Sequence, residues 1–140
     1  VASITKQFHE YLAPLLPGTW DVHPLEVNLD ALERPAVLIS YVRSSVVRQG
    51  PAALGKQYEI QLTYVSPVTH DLSVVDEDLW DAEQTVEAAL QQLPFVELTE
   101  SARGTYGEDN FAHVFSLQIG VPYTPNPEPD AEPDATPEEE

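Results

Sequence analysis

Asp76-Glu-Asp-Leu-Trp-Asp-Ala-Glu-Gln-Thr-Val-Glu-Ala-Ala-Leu-Gln-Gln-Leu93, followed by Pro94, is the stretch whose reading decides the fold. Leu79, Val86, Ala89, Leu90 and Leu93, with Ala82 beside them, recur at spacings of three and four. Asp81, Gln84, Glu87 and Gln91 fall outside that set, so the spacing predicts a helix over 76–93 with one apolar stripe. Such a helix is built to lie on a sheet. Asp76, Glu77 and Asp78 read as its first turn, where free backbone N–H groups and the positive end of the helix dipole favour carboxylates, and Pro94 reads as its stop. Trp80 breaks the pattern. At about 100° per residue it stands roughly 130° from the middle of the stripe. It needs another partner: either the preceding loop or sheet edge, or a neighbouring subunit, since Trp is enriched among residues that dominate interface energies.

On the N-terminal side, Ser3 reads as the cap of a first helix running to about Leu16, with Ile4, Phe8, Tyr11, Leu12 and Leu15 on one face and Pro17-Gly18 as the stop. Thr19 to Val22 is a short strand candidate. Pro24, Asn28, Asp30 and Pro35 then mark a long irregular loop, read either as filler or as a segment lying over a neighbouring protomer. Trp20, at its start, is expected to close the edge of the core. Ala36 to Val47 is rich in Val, Leu and Ile, and Gln57 to Val65 alternates Tyr58, Ile60, Leu62 and Tyr64 with Gln57, Glu59, Gln61 and Thr63. These are two strands, the second with one wet face, as in an antiparallel sheet covered by helices on one side.

Beyond the central helix, Phe95 to Thr99 and Phe111 to Val121 predict a last pair of strands joined by a turn-rich loop, Arg103 to Asn110. Phe111, His113, Phe115, Leu117, Ile119 and Val121 share one face, which makes His113 a half-buried sheet residue rather than a ligand. Residues 122–140 hold six prolines and seven acids, too little to bury, and are expected to be extended and disordered. The chain is thus expected to be one α+β domain over 1–121, a mainly antiparallel sheet of about four to five strands with two helices on one face, followed by an acidic tail.

The formal charge of −18 comes from 24 acids against six bases, and −11 of it remains on residues 1–121. A surface of that sign argues against gripping a nucleic acid backbone, though not against a channel through which DNA passes without sticking. The absence of Cys excludes disulfides, thiolate metal sites and a Cys nucleophile. No apolar run approaches about 18 residues, and the N-terminus lacks a secretory pattern, so a soluble, unexported protein is expected. None of the common nucleotide-binding, zinc-protease, hydrolase or EF-hand patterns is met. His9 is expected at the surface, and His70-Asp71 is too short a pairing to make a site. The carboxylates Asp76, Glu77, Asp78, Asp81 and Glu83 are explained by their expected place at a helix start. No catalytic residue, metal or cofactor is expected.

The order of elements resembles the tail terminator proteins of long-tailed bacteriophages, the lambda gpU-like family. The residues carrying the likeness are Leu79-Trp80-Asp81-Ala82-Glu83 with Val86, then Thr105-Tyr106-Gly107, then the strand Phe111-Ala112-His113-Val114-Phe115-Ser116-Leu117-Gln118-Ile119. The acidic tail is no part of it. The resemblance implies a hexameric ring at the tail–neck junction of the virion, assembled in the host cytoplasm. Such a ring caps the tail tube, ends its polymerisation and presents a docking face to head-completion proteins. A head-to-tail connector or another neck or tail-tube protein is the nearest alternative. A cellular adaptor whose acidic Pro-rich tail binds a basic or Pro-recognising partner is the alternative from another class. In a ring of such acidic subunits the scarce bases Arg43, Arg48, Lys56 and Arg103 become, with Trp80, the interface candidates. The 44–56 stretch is expected to be a loop reaching an adjacent subunit or the tube, or else a mobile surface hairpin.

Overall fold

A computed structural model describes residues 3–25, 32–48, 54–107 and 110–122. The acidic stretch from residue 123 onward and the middle of the long loop, 26–31, lie outside them, so the tail and loop expectations do too. The elements are helix α1 (Ile4–Leu12), strands β1 (Asp21–His23), β2 (Ala36–Arg48) and β3 (Leu54–Val65), helix α2 (Leu72–Leu90), and strands β4 (Val96–Tyr106) and β5 (Asn110–Pro122). This is an α+β fold built on one five-stranded sheet, in the order β1-β2-β3-β5-β4.

The sheet is mixed rather than mainly antiparallel. β2, β3, β5 and β4 pair antiparallel, but β1 runs parallel to β2, with Asp21 opposite Ala36 and His23 opposite Leu38. Two adjacent strands pointing the same way need a crossover of about a dozen residues. That requirement accounts for the length of the 24–35 connection.

α1 begins where Ser3 accepts the Lys6 N–H at 3.3 Å. It ends earlier than expected. Pro14 has no N–H to give to the Glu10 carbonyl and its ring crowds that carbonyl, so the α-helix gives way to a 3-10 turn over Ala13–Leu15. α2 starts earlier than expected, at Leu72, because Asp71 caps it by accepting the Ser73 N–H at 3.0 Å. Asp76, Glu77 and Asp78 therefore stand beyond the first turn, past the four free N–H groups, and the helix dipole is not what explains them. Gln91 caps the other end, and Leu93 stays buried one turn further on.

Both helices cover the same face of the sheet. Phe8, Leu12 and Leu16 from the first helical segment and Val75, Leu79, Ala82, Val86, Ala89 and Leu90 from α2 close over Val37 and Ile39, over Ile60, Leu62 and Tyr64, and over Phe115, Leu117 and Ile119. Cross-strand pairs hold these in rows, Ile39 by Leu62 by Phe115 and Tyr41 by Ile60 by Leu117 by Leu98. Trp20 does close the core edge, its ring 4.8 Å from that of Tyr64. On the opposite face Gln57, Glu59, Gln61 and Thr63 remain partly exposed, while Ala36, Leu38, Val65 and Ala112 are buried at one end.

The four long strands all run further than expected. Arg48 and Lys56 belong to β2 and β3, so 44–56 is largely strand, and only 49–53 lie outside the described residues. Arg103 to Tyr106 likewise extend β4, and Gly107 takes the positive φ of 65° that its turn requires. Bulges between Tyr41 and Arg43 and between Leu98 and Glu100 interrupt the alternation there, which conceals the strand continuity in the sequence.

Candidate functional site

The helix layer stops at Tyr41. From there to Val46, and again at Arg48, every described side chain of β2 is exposed, and Lys56 to Glu59 of β3 are only half-covered. At about 3.3 Å per residue, residues 43–48 carry β2 roughly 20 Å past the covered core. β5 follows as far as Pro122, opposite Gly55, so the projection is a three-stranded arm rather than a bare hairpin. Tyr41, Val42 and Val46 place apolar side chains on it, and Tyr41 and Tyr58 sit 6.3 Å apart at its base.

Arg43, Arg48 and Lys56 all stand on this arm. Arg43 donates from Nε to Glu59 at 2.7 Å, across the β2–β3 pair, and the Lys56 ammonium lies 5.4 Å from the centre of the Tyr58 ring. Arg103 is elsewhere. Its guanidinium bonds the Asp76 carboxylate and ties β4 to α2. It therefore serves a contact inside the chain, and the structure does not bring the four interface bases together.

Trp80 is 56% exposed, on the side of α2 away from the apolar stripe. On the helix surface its neighbours at three, four and seven residues are Ser73, Asp76, Glu77, Glu83, Gln84 and Glu87. Leu72 and Val74, also exposed, lie toward the start of the same helix. Glu83 and Glu87 form a like-charge pair four apart. Burial first, and Glu83 second, hold the Glu87 carboxyl above the ordinary carboxylate range. Asp78 is used internally, accepting the Tyr64 hydroxyl at 2.8 Å. Burial first, then Asp78, push the Tyr64 phenol upward.

Beneath α2 lies His113, which is buried at 4% exposure rather than half-buried as expected. It pairs across the sheet with Tyr64 on β3 and Arg103 on β4, and its Nε2 stands 3.9 Å from a Glu83 oxygen. Neither ring nitrogen has a hydrogen-bond partner. Burial lowers its pKa, Glu83 opposes this and Arg103 adds to it, so the ring is neutral at pH 7. His9 is half-covered, its Nε2 3.1 Å from the Val22 carbonyl. His70 is exposed, and Asp71 beside it is the helix cap.

Among the described residues no group of three or more His, Asp or Glu is placed to hold a metal ion. A mainly apolar cleft of about 190 Å³ opens between α1 and the sheet, lined by Ile4, Gln7, Phe8, Tyr11, Phe95 and Ile119. It is smaller than the roughly 300–1,000 Å³ typical of ligand pockets. Among the described residues no helix is long and apolar enough to cross a membrane. A scan of protein families and a search of curated proteins find no match to the chain.

What the sequence missed is the apolar side of the arm. Val42 and Val46 lie in a run that reads as ordinary strand core, and only the point where the helices end turns them into surface.

Proposed function

We propose that the chain is a virion structural subunit, the tail terminator of a long-tailed bacteriophage, which forms a ring that caps the tail tube and receives the head-completion proteins. One observation carries the self-associating part of this reading: among the described residues, six of the eight exposed large apolar side chains, all but Tyr11 and Leu25, fall into two places that cannot meet within one chain. Tyr41, Val42 and Val46 are on the arm. Leu72, Val74 and Trp80 are on the N-terminal half of α2, which Asp78 fastens to Tyr64 at the other end of β3. Lys56 and Tyr64 are about 26 Å apart along that strand. Two unlike patches on one molecule associate head to tail, and a head-to-tail contact closes into a ring or runs on as a filament. The element order and its resemblance to the tail terminators choose the ring and the role.

Light scattering after size exclusion tests the reading. A ring of six gives about six times 15.5 kDa, and the purified ring added to polymerising tail-tube protein shortens the tubes. A monomer at every concentration overturns the ring and favours the adaptor alternative. A ring that leaves tube length unchanged overturns termination and favours a connector.

A further inference from the structure

We infer that the basic arm of one copy of this chain docks on the Trp80 face of α2 in the next copy, an inference that rests on the self-association proposed above. The argument begins with where the charges are. Residues 41–58 carry three of the six bases and none of the 24 acids. α2 carries six acids, Asp76, Glu77, Asp78, Asp81, Glu83 and Glu87, and no base. A chain of net charge −18 meeting its own copies is repelled almost everywhere. Arm on α2 is the pairing of surfaces that reverses that sign.

The side chains fit the pairing. An exposed indole attracts a guanidinium or ammonium over its face, and carboxylates around it accept the N–H groups that the ring leaves free. Trp80 offers such a face beside Glu77, Glu83 and Glu87, with Asp76 already held by Arg103, and Arg48 and Lys56 stand toward the end of the arm with Val46 beside them. Glu83 and Glu87, which oppose each other in the single chain, gain a counter-charge when the arm arrives. A chain cannot dock its own arm, because the Asp78 end of α2 and the arm lie at opposite ends of β3. The occupant is therefore a second copy.

Charge reversal on each side separates this docking from the ring itself. Arg48→Glu with Lys56→Glu sets an acidic arm against the acidic face in every copy, and Glu77→Lys with Asp81→Lys sets the basic arm against a basic face. All four positions are exposed or half-exposed, and circular dichroism matching the wild type shows that the fold is kept. Each double variant alone is expected to run at the monomer mass of 15.5 kDa. Mixed in equal amounts the two are expected to assemble again, because an alternating ring pairs reversed arm with reversed face and native arm with native face. The quadruple variant restores assembly in a single chain, and Trp80→Ala weakens it in the native background. A wild type that assembles while both double variants keep its mass overturns the docking and leaves the ring. Failure of both the mixture and the quadruple variant to restore assembly overturns it as well. A wild-type monomer at every concentration overturns both.

Discussion

His113 is the place where a single substitution reads out the interior of the fold. Its ring lies under α2 with both nitrogens unpaired, facing Glu83 from α2, Tyr64 from β3 and Arg103 from β4, with Asp76 held by that same arginine and Asp78 by that tyrosine. Burial pulls its pKa below 6.5, with Arg103 acting in the same direction and Glu83 against it. The folded state therefore resists a proton that the unfolded chain accepts. Stability on this account is fully present above the unfolded value of 6.5 and is lost as pH falls below it, down to the folded pKa. One unit of pKa shift corresponds to about 1.4 kcal/mol. Between about pH 7.5 and about pH 5.5 one such group therefore removes at most about 1.4 kcal/mol.

His113→Phe removes the titrating group and keeps an aromatic ring beside Phe115, whose centre is 4.7 Å away. At neutral pH two effects oppose each other. Losing an unpaired buried polar group gains about 1–3 kcal/mol. Inserting a larger ring into a packed core costs about as much. The neutral value is therefore not diagnostic, and the pH dependence is. Urea unfolding of both proteins across that range is expected to show the variant gaining on the wild type as pH falls. Glu87, whose carboxyl is also perturbed, titrates in both proteins and cancels in the difference. Two stability curves that stay parallel from neutral to acid pH would refute a proton-resisting His113.

Leu90→Ala, at a position 5% exposed and closed over the sheet, is expected to cost about 2–5 kcal/mol in urea unfolding, and a loss under about half a kcal/mol would take α2 out of the core. Asp71→Ala removes the acceptor of the Ser73 N–H and is expected to cost about 1 kcal/mol, with hydrogen exchange accelerating over 72–75, whereas an unchanged rate there would mean that the helix starts further along.

The sequence disclosed the central helix through its period, because Leu79, Val86 and Leu90 must share a face whatever they pack on. It did not disclose where that helix begins. Leu72 and Val74 point to solvent and disturb the period, while the deciding contact is one hydrogen bond from the Ser73 N–H to Asp71. Strand identity in β3 was plain from its alternation, but strand order was not. Nothing local to Asn110–Pro122 states that this strand inserts between β3 and β4, since that placement is set by long-range pairing. The parallel β1 is three residues long and carries too little pattern to announce its direction. At the candidate site the residue types were visible and their context was not. Arg103 reads as a spare cation until Asp76, 27 positions away, is seen to hold it, and Trp80 reads as needing cover until the helix is placed with that face outward.

Among the described residues, Arg34, Arg43 and Arg103 each form an ion pair that ties together two segments. Arg34 joins the end of the crossover to Asp21 at the start of β1, Arg43 joins β2 to Glu59 of β3, and Arg103 joins β4 to α2. These pairs are exposed or half-exposed, so each contributes at most about 1 kcal/mol, and their service is more in fixing relative placement than in holding the fold together. Stability comes instead from the apolar rows under the two helices. A net charge of −18 sets a general repulsion among copies that falls off over a Debye length of about 8 Å at physiological salt, whereas an arm and a helix face in contact act well inside that distance. In the docking proposed above, the basic arm is the place where a second copy is attracted rather than repelled, which is the condition for a single, directional contact.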